Sequence, residues 1–213
     1  YDLHQDIKRT IVPIEEISRN IKNATVAIED EEFYQHKGIK ITSIIRAVLA
    51  NLTKGNYSQG GSTITQQVVK NSLLNSEKKI SRKLKEWFLA LKLEKMMSKD
   101  EILGIYLNEA PYVGYIYGIE EAGQAYFGKN ASDLTIAESA HLAALPNAPS
   151  YYSPYGQNVR KLLDRKNLVL KRMLDKNFIS KNEYESAIKE VVSFYPQDRL
   201  GIKAPHFVVY TIK

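Results

Sequence analysis

The chain has 213 residues, 44% of them apolar and 25% charged, with no cysteine and a formal net charge of +6. That length supports one large domain or two small lobes around a sizeable core. The lack of cysteine excludes a disulfide framework and a thiolate metal site, and no apolar run reaches the roughly eighteen residues a membrane-spanning helix needs.

Residues 27–38, AIEDEEFYQHKG, set four carboxylates in a row, Glu29, Asp30, Glu31 and Glu32, behind the apolar Val26-Ala27-Ile28. A surface helix spaces its acids three or four apart and pairs them with lysines. The cluster is therefore either an acidic helix end or a place where one carboxylate has a chemical role. Residues 39–52 carry Ile41, Ile44, Ile45, Val48, Leu49 and Leu52 on one helical face, which suits a core helix or one that dips into a membrane interface. A glycine-rich loop follows and leads into a helix starting near Ser62 or Thr63. Its Gly55-x4-Gly60 spacing is not a P-loop, because Gly61 stands where the phosphate-gripping lysine belongs and no strand precedes it.

The spacing predicts a helix over 78–97, with Ile80, Leu84, Trp87, Phe88 and Leu91 on its apolar side. Ser98-x-x-Glu101 is a capping box opening a helix over 99–108. Thr135-x-x-Glu138 is another, its helix stopped by Pro146, and Ser180-x-x-Glu183 is a third. Several helices without clear alternating segments predict a mainly α fold, with short strands at most near Ile11–Val12 and Phe207–Val209.

Residues 70–99 hold nine lysines and arginines against three glutamates, so this stretch alone carries the net charge. Such a patch suits phosphate, nucleic acid or an acidic membrane surface, or else is a solvated helix face. The four histidines, His4, His36, His141 and His206, make no metal-ligand spacing. Ser76-x-x-Lys79 and Ser186-x-x-Lys189 lack the Lys-Thr-Gly and Ser-Asp-Asn companions of a penicillin-reactive site and are chance matches. Carboxylates remain. Lys79, Arg82 and Lys83 precede Glu86 by seven, four and three residues on the polar side of the 78–97 helix. They form either ordinary salt bridges or a cationic face able to hold a pyrophosphate. Glu29 sits at the edge of apolar surface, where a carboxyl pKa rises and general acid or base work becomes accessible.

Five motifs occur in order. Glu29-Asp30-x-x-Phe33-x-x-His36-x-Gly38 comes first, then Gly60-x-Ser62-Thr63-Ile64-Thr65-Gln66-Gln67, then Arg82-Lys83-x-x-Glu86. Ile102-Leu103-x-x-Tyr106-Leu107-Asn108 and Glu138-x-Ala140-x-Leu142-Ala143-Ala144-Leu145-Pro146 complete the set, extended by Tyr126-Phe127-Gly128-Lys129 and Arg165-x-x-x-Val169-Leu170-x-x-Met173. The array resembles the peptidoglycan glycosyltransferase (transglycosylase) domain of bacterial class A penicillin-binding proteins. Any one motif is weak; five in register are specific.

The resemblance implies a mainly α, lysozyme-like helical head with a small membrane-facing lobe, placed here around 39–57 and 112–119. It makes residues 203–213 the start of a linker to a transpeptidase domain outside this chain. It implies an inverting glycosyltransferase that polymerises lipid II into β-1,4-linked glycan with release of undecaprenyl pyrophosphate. Glu29 is then the general base on the acceptor 4-hydroxyl, and Glu86 with Arg82, Lys83 and Lys79 serves the pyrophosphate side, where cations offset leaving-group charge. Asp30 positions the base or a metal and counts among the substrate-binding residues, while Glu31 and Glu32 are solvated. Ser62, Thr65, Gln67 and Lys70 line the donor cleft. Phe33 and His36 act in packing and support. A Mg²⁺ ion bridging the pyrophosphate is consistent with hard-cation chemistry, although no metal-ligating residue set is read. The implied partners are lipid II, undecaprenyl-pyrophosphate-linked glycan, a membrane surface and moenomycin-type inhibitors, with no nucleic acid. The implied location is the outer face of the bacterial inner membrane, held by an N-terminal helix outside this chain. A lysozyme-like hydrolase is the alternative, and a non-catalytic membrane scaffold a third.

Overall fold

A computed structural model describes residues 9–40, 61–73 and 79–196. The expectations for a 39–57 lobe, for a linker at 203–213 and for a strand at Phe207–Val209 fall largely or wholly outside these residues. Among the described residues the chain forms eight α-helices: α1 (Arg19–Glu29), α2 (Ile64–Leu73), α3 (Lys79–Met96), α4 (Lys99–Glu109), α5 (Ile119–Phe127), α6 (Ile136–Ala144), α7 (Val159–Asp175) and α8 (Lys181–Lys189). Short 3-10 turns lie at Ile14–Glu16 and Ala131–Asp133.

All three capping boxes form. Ser98, Thr135 and Ser180 each accept the N–H of the glutamate three residues on, and that glutamate returns to the cap backbone, fixing the starts of α4, α6 and α8. Helix α6 ends at Ala144, just ahead of Pro146, as the proline dictates.

No strand occurs among the described residues, so the strand expected at Ile11–Val12 is absent. A side chain replaces it. Asn108 Oδ1 accepts the Val12 N–H at 3.0 Å, and Nδ2 donates to Val12 O at 2.9 Å and to Gly104 O at 2.9 Å. One amide thus satisfies both backbone groups of Val12, as a neighbouring strand otherwise does.

Helix α6 packs against α1 and α7, and α8 lies on α7. Helix α2 packs against both α3 and α4. A single core runs through both groups and includes Ile21, Phe33, Ile64, Leu107, Leu142 and Val169. The segment 112–119, expected in the small lobe, contributes side chains to this core. Tyr112, Val113, Ile116 and Ile119 are all buried, and Gly114 and Tyr115 at the turn are exposed.

Helix α3 reverses the expected amphipathic reading. Its inward face carries Glu86, Ala90 and Leu93, with Glu86 only 3% exposed. Most of the apolar stripe read from the sequence points outward: Leu84 is 58% exposed, Phe88 68% and Leu91 38%. Periodicity alone cannot tell an apolar face turned to the core from one turned outward.

Gly38 sets how the loop after α1 meets α3. Its φ is +87°, and a Cβ there sits 2.8 Å from the carbonyl oxygen of Ala90. Gly38→Ala is expected to cost about 2 kcal/mol or more, since backbone strain and a clash with backbone add. A urea melt checks this; an unchanged midpoint contradicts it.

Candidate active site

Glu29 is the last residue of α1, and its side chain is 9% exposed. Its surroundings come from three other helices. Gln67 of α2 donates its amide Nε2 to Glu29 Oε2 at 2.9 Å. Arg165 of α7 brings a guanidinium nitrogen to 3.6 Å from Oε1, an ion-pair distance too long for a hydrogen bond. Arg165 is itself fixed, donating Nε to Ala144 O at 3.1 Å and stacking over the Tyr152 ring at 5.3 Å. Arg172, two turns further along α7, donates to Ile28 O at 3.2 Å and ties down the end of α1. Tyr106 of α4 lies within electrostatic reach of the carboxylate.

Burial raises the Glu29 carboxyl above its ordinary value near 4.5. The Gln67 hydrogen bond and the Arg165 charge draw it partly back, and neighbouring Asp30 adds upward pressure. A carboxylate raised but still deprotonated at neutral pH is a competent general base.

Asp30 has a different task. Its Oδ2 meets His36 Nε2 at 2.8 Å and accepts the Ile64 N–H at 3.1 Å, while Lys40 stands 2.8 Å from Oδ1. Burial alone raises this carboxyl, but the hydrogen bonds from His36 and Lys40 outweigh it and hold Asp30 below the usual carboxylate range. His36 Nδ1 accepts the Gly38 N–H at 3.1 Å, so the hydrogen on the ring is the one on Nε2 facing Asp30. Asp30 thus places an anion at the N-terminus of α2, where the helix dipole favours it, and locks α1 to α2. Glu31 and Glu32 are exposed, as expected, and pair with Lys176 at 3.2 Å and Lys40 at 3.5 Å.

The second carboxylate, Glu86, lies buried on α3 in a close ion pair with Lys83. Lys83 also donates to Ser62 Oγ at 2.9 Å. Among the described residues Lys83, not Arg82, is the cation that reaches Glu86. Arg82 is half-buried on the same helix, and the Lys79 side chain lies outside the described residues. Helix α2 joins the two sites: Ser62, just ahead of it, touches the Glu86 pair, and Gln67, one turn in, touches Glu29. Ser62 and Gln67 are therefore brought to the site, Gln67 as a partner of the base itself.

Thr65 is not placed in the cleft. It is fully buried, and its hydroxyl bonds Glu94, which also pairs with Lys99 at 2.7 Å. Lys99 in turn lies 4.5 Å over the ring of buried Phe33. Thr65 faces the seam between α2 and α3 because the buried side of α2 takes Ile64, Thr65, Val68 and Val69. Lys70 is exposed on the next turn. Arg165, Arg172 and Lys40 are the site residues that sequence reasoning missed. Arg165 stood in a recognised motif, but nothing in its spacing pointed across some 136 positions to Glu29.

A family model described as Transglycosylase matches residues 1–174. The chain belongs to the transglycosylase family. Penicillin-binding protein 1A of Clostridium perfringens (strain 13 / Type A) is 44% identical over 206 residues, covering 91% of this transglycosylase chain and 30% of that protein. Penicillin-binding protein 1A of Vibrio cholerae is 44% identical over 201 residues, covering 93% and 24%. The crystal structure of penicillin-binding protein 1A from Haemophilus influenzae matches with a TM-score of 0.51 at 25% identity, over 88% of this chain and 18% of that one. The transglycosylase chain thus spans less than a third of the length of these relatives, and its mainly helical fold matches that of the corresponding part of the Haemophilus influenzae structure.

Proposed function

We propose that this transglycosylase is a peptidoglycan glycosyltransferase that polymerises lipid II by inverting transfer. The observation that carries the reading is the contrast between two buried carboxylates. Glu29 is desolvated with a raised pKa and one oxygen that accepts no hydrogen bond from the described residues, and Glu86 is bound to Lys83. Inversion in one displacement needs a base on the acceptor side. Glu29 fills that role by taking the proton of the acceptor 4-hydroxyl as its oxygen attacks the donor anomeric carbon. The bond to undecaprenyl pyrophosphate breaks, and negative charge grows on the leaving phosphate. Cations at that point lower the barrier. Lys83, oriented by Glu86 and Ser62, supplies one, with Arg82 on the same helix and exposed Lys70 on α2 as further contributors.

A hydrolase also uses a raised carboxyl, as an acid for a poor sugar leaving group. It has no use for a lysine clamped beside its second carboxylate.

Magnesium fits as an ion carried by the pyrophosphate, not as one caged by protein. Among the described residues no three histidines or acids gather to hold a metal. The three acids of the site also already have nitrogen partners: Gln67 and Arg165 on Glu29, His36 and Lys40 on Asp30, Lys83 on Glu86. No step here is routed through the ion.

The outward face of α3 supports a membrane-surface location, since Leu84, Phe88 and Leu91 stand exposed beside the exposed lysines Lys85, Lys92 and Lys95. Lipid II keeps its tail in a bilayer, so a cleft next to such a face opens at headgroup level. The parent protein is expected to carry a membrane anchor and a transpeptidase domain, and to sit on the outer face of the inner membrane. A moenomycin-type phosphoglycolipid is expected to bind along Lys83 and Glu86. Phe88→Asp is expected to lower co-sedimentation with anionic vesicles about tenfold, one charge replacing one buried aromatic. Unchanged sedimentation removes α3 from the membrane contact. The function itself is tested with labelled lipid II resolved on a gel: a ladder of polymer is expected, and free disaccharide without polymer contradicts the transferase.

A further inference from the structure

Four buried side-chain oxygens make no hydrogen bond to the described residues: Glu29 Oε1, Asp30 Oδ1, Tyr106 Oη and Ser139 Oγ. Asp30 Oδ1 has the Lys40 ammonium at 2.8 Å, and two of the others, Glu29 Oε1 and the Tyr106 phenol, lie within electrostatic range of each other. Tyr106 is 3% exposed on the inward face of α4, and of the charges acting on its phenol that of Glu29 is the strongest, with Arg165 also in range. Arg165 is likewise the cation beside Glu29 Oε1, at 3.6 Å.

An unsatisfied buried oxygen costs about 1–3 kcal/mol, and native folds seldom tolerate it. Two within electrostatic range of one guanidinium point to a shared third atom. Packing does not require the hydroxyl, because a phenylalanine fills the same apolar space. The hydroxyl therefore has a polar duty. Its chemistry complements that of the carboxylate: a neutral phenol donates one hydrogen bond and accepts others, whereas a carboxylate only accepts. An oxygen that carries a hydrogen can donate to Glu29 while accepting from Tyr106 and Arg165.

We propose that Tyr106 is a positioning residue for Glu29, and that the two together form a two-point site for one hydroxyl-bearing oxygen. In the resting protein that oxygen is water; in the reaction it is the acceptor hydroxyl. This rests on the transferase reading for its kinetic consequence and is independent of it for its effect on the carboxyl. Burial holds the phenol well above its ordinary value, aided by the Glu29 charge, so Tyr106 stays neutral and serves as a donor, not as a second base. The groups around Glu29 that set its titration are Asp30 on its own turn, Arg165 and Arg172 from α7, Tyr106 from α4 and the uncharged Gln67 from α2. On α6, Glu138 is taken by Lys129, and His141 responds to Lys166 and Glu138.

The test is Tyr106→Phe in the 213-residue chain, with the melting temperature measured first to show that the core is kept. One arm titrates the Glu29 carboxyl carbon by ¹³C NMR without lipid II, using Glu29→Gln to assign the signal. Loss of the donor is expected to raise the Glu29 pKa by about half a unit or more. The other arm follows lipid II polymerisation against pH, where kcat is expected to fall about tenfold with KM little changed and the acid limb displaced upward. A displaced titration assigns the oxygen to water at rest, and a displaced pH profile alone assigns it to the acceptor hydroxyl; either supports the site. If both stay at their wild-type positions, the proposal is overturned. If the wild type makes no polymer, the transferase reading fails by itself and the NMR arm alone decides the role of Tyr106.

Discussion

Glu29→Gln is expected to abolish polymer formation and, in the same protein, to raise thermal stability. The rate loss follows from removing a base that contributes about 10²- to 10⁴-fold. The gain in stability follows from the sign of the pKa shift. Glu29 has a folded-state pKa above its ordinary 4.5, so ionisation is easier in the unfolded chain than in the fold. Below about pH 4.5 both states are protonated and the shift has no effect. As pH rises through the folded value, the wild type comes to hold a buried charge that opposes folding, and that cost is then constant. Glutamine avoids it while keeping an oxygen for Gln67. The difference in Tm between variant and wild type is expected to be near zero at pH 4 and positive at pH 8, the variant melting higher. Scanning calorimetry across that range checks it. A variant less stable than wild type at pH 8 means that Glu29 is a structural anion and not a strained base, a stability–activity trade-off turned the other way.

The second large effect lies at the Lys83–Glu86 pair. Lys83→Met leaves the Glu86 carboxylate buried, with Ser62 also deprived of its donor. Breaking one partner of a buried pair costs far more than removing both. Lys83 is itself partly exposed, so water softens the cost, and about 1–3 kcal/mol is expected. The double variant Lys83→Met/Glu86→Gln is expected to recover most of that stability and none of the activity. Turnover should fall about 10²-fold or more in both, because the cation that meets the leaving phosphate is missing from each. Chemical denaturation and lipid II turnover on the single and double variants separate the two contributions. Activity regained in the double variant contradicts a leaving-group role for Lys83.

The helices that sequence reasoning located were those announced by local chemistry. Helices α4, α6 and α8 open on Ser or Thr followed three residues later by Glu, and each box forms as written. Helices α5 and α7 start at Gly118 and Asn158 without any side-chain cap, and α1 starts at Ser18 without a glutamate three residues on. The starts of α5 and α7 are set by tertiary packing, which no short window records, whereas Ser18 caps α1 by accepting the Asn20 N–H. The burial of α7 follows a ladder from Leu162 to Val169, Leu170 and Met173, but it includes Lys166 and is crossed by charges.

The orientation of α3 was not legible, since an apolar stripe looks the same whether it meets a core or a membrane. Its resolution depended on Glu86 and Ala90 facing α2. At the site, Glu29, Gln67, Ser62, Lys83 and Glu86 were legible because the motifs that hold them are short and ordered. The burial of Thr65 against Glu94 was not legible, because a hydroxyl in a motif carries no direction. Its partner Glu94 comes from a different helix. Arg165 and Tyr106 act on Glu29 from α7 and α4, and only the packed fold brings those helices to the end of α1.

The central claim is that a desolvated Glu29 is the base of the transfer. Its most direct measurement pairs the acid limb of lipid II polymerisation with the titration of the Glu29 carboxyl carbon in the same protein. The account predicts that both midpoints coincide and lie above 4.5. A carboxyl that titrates at or below 4.5, or a rate profile that ignores its titration, contradicts it.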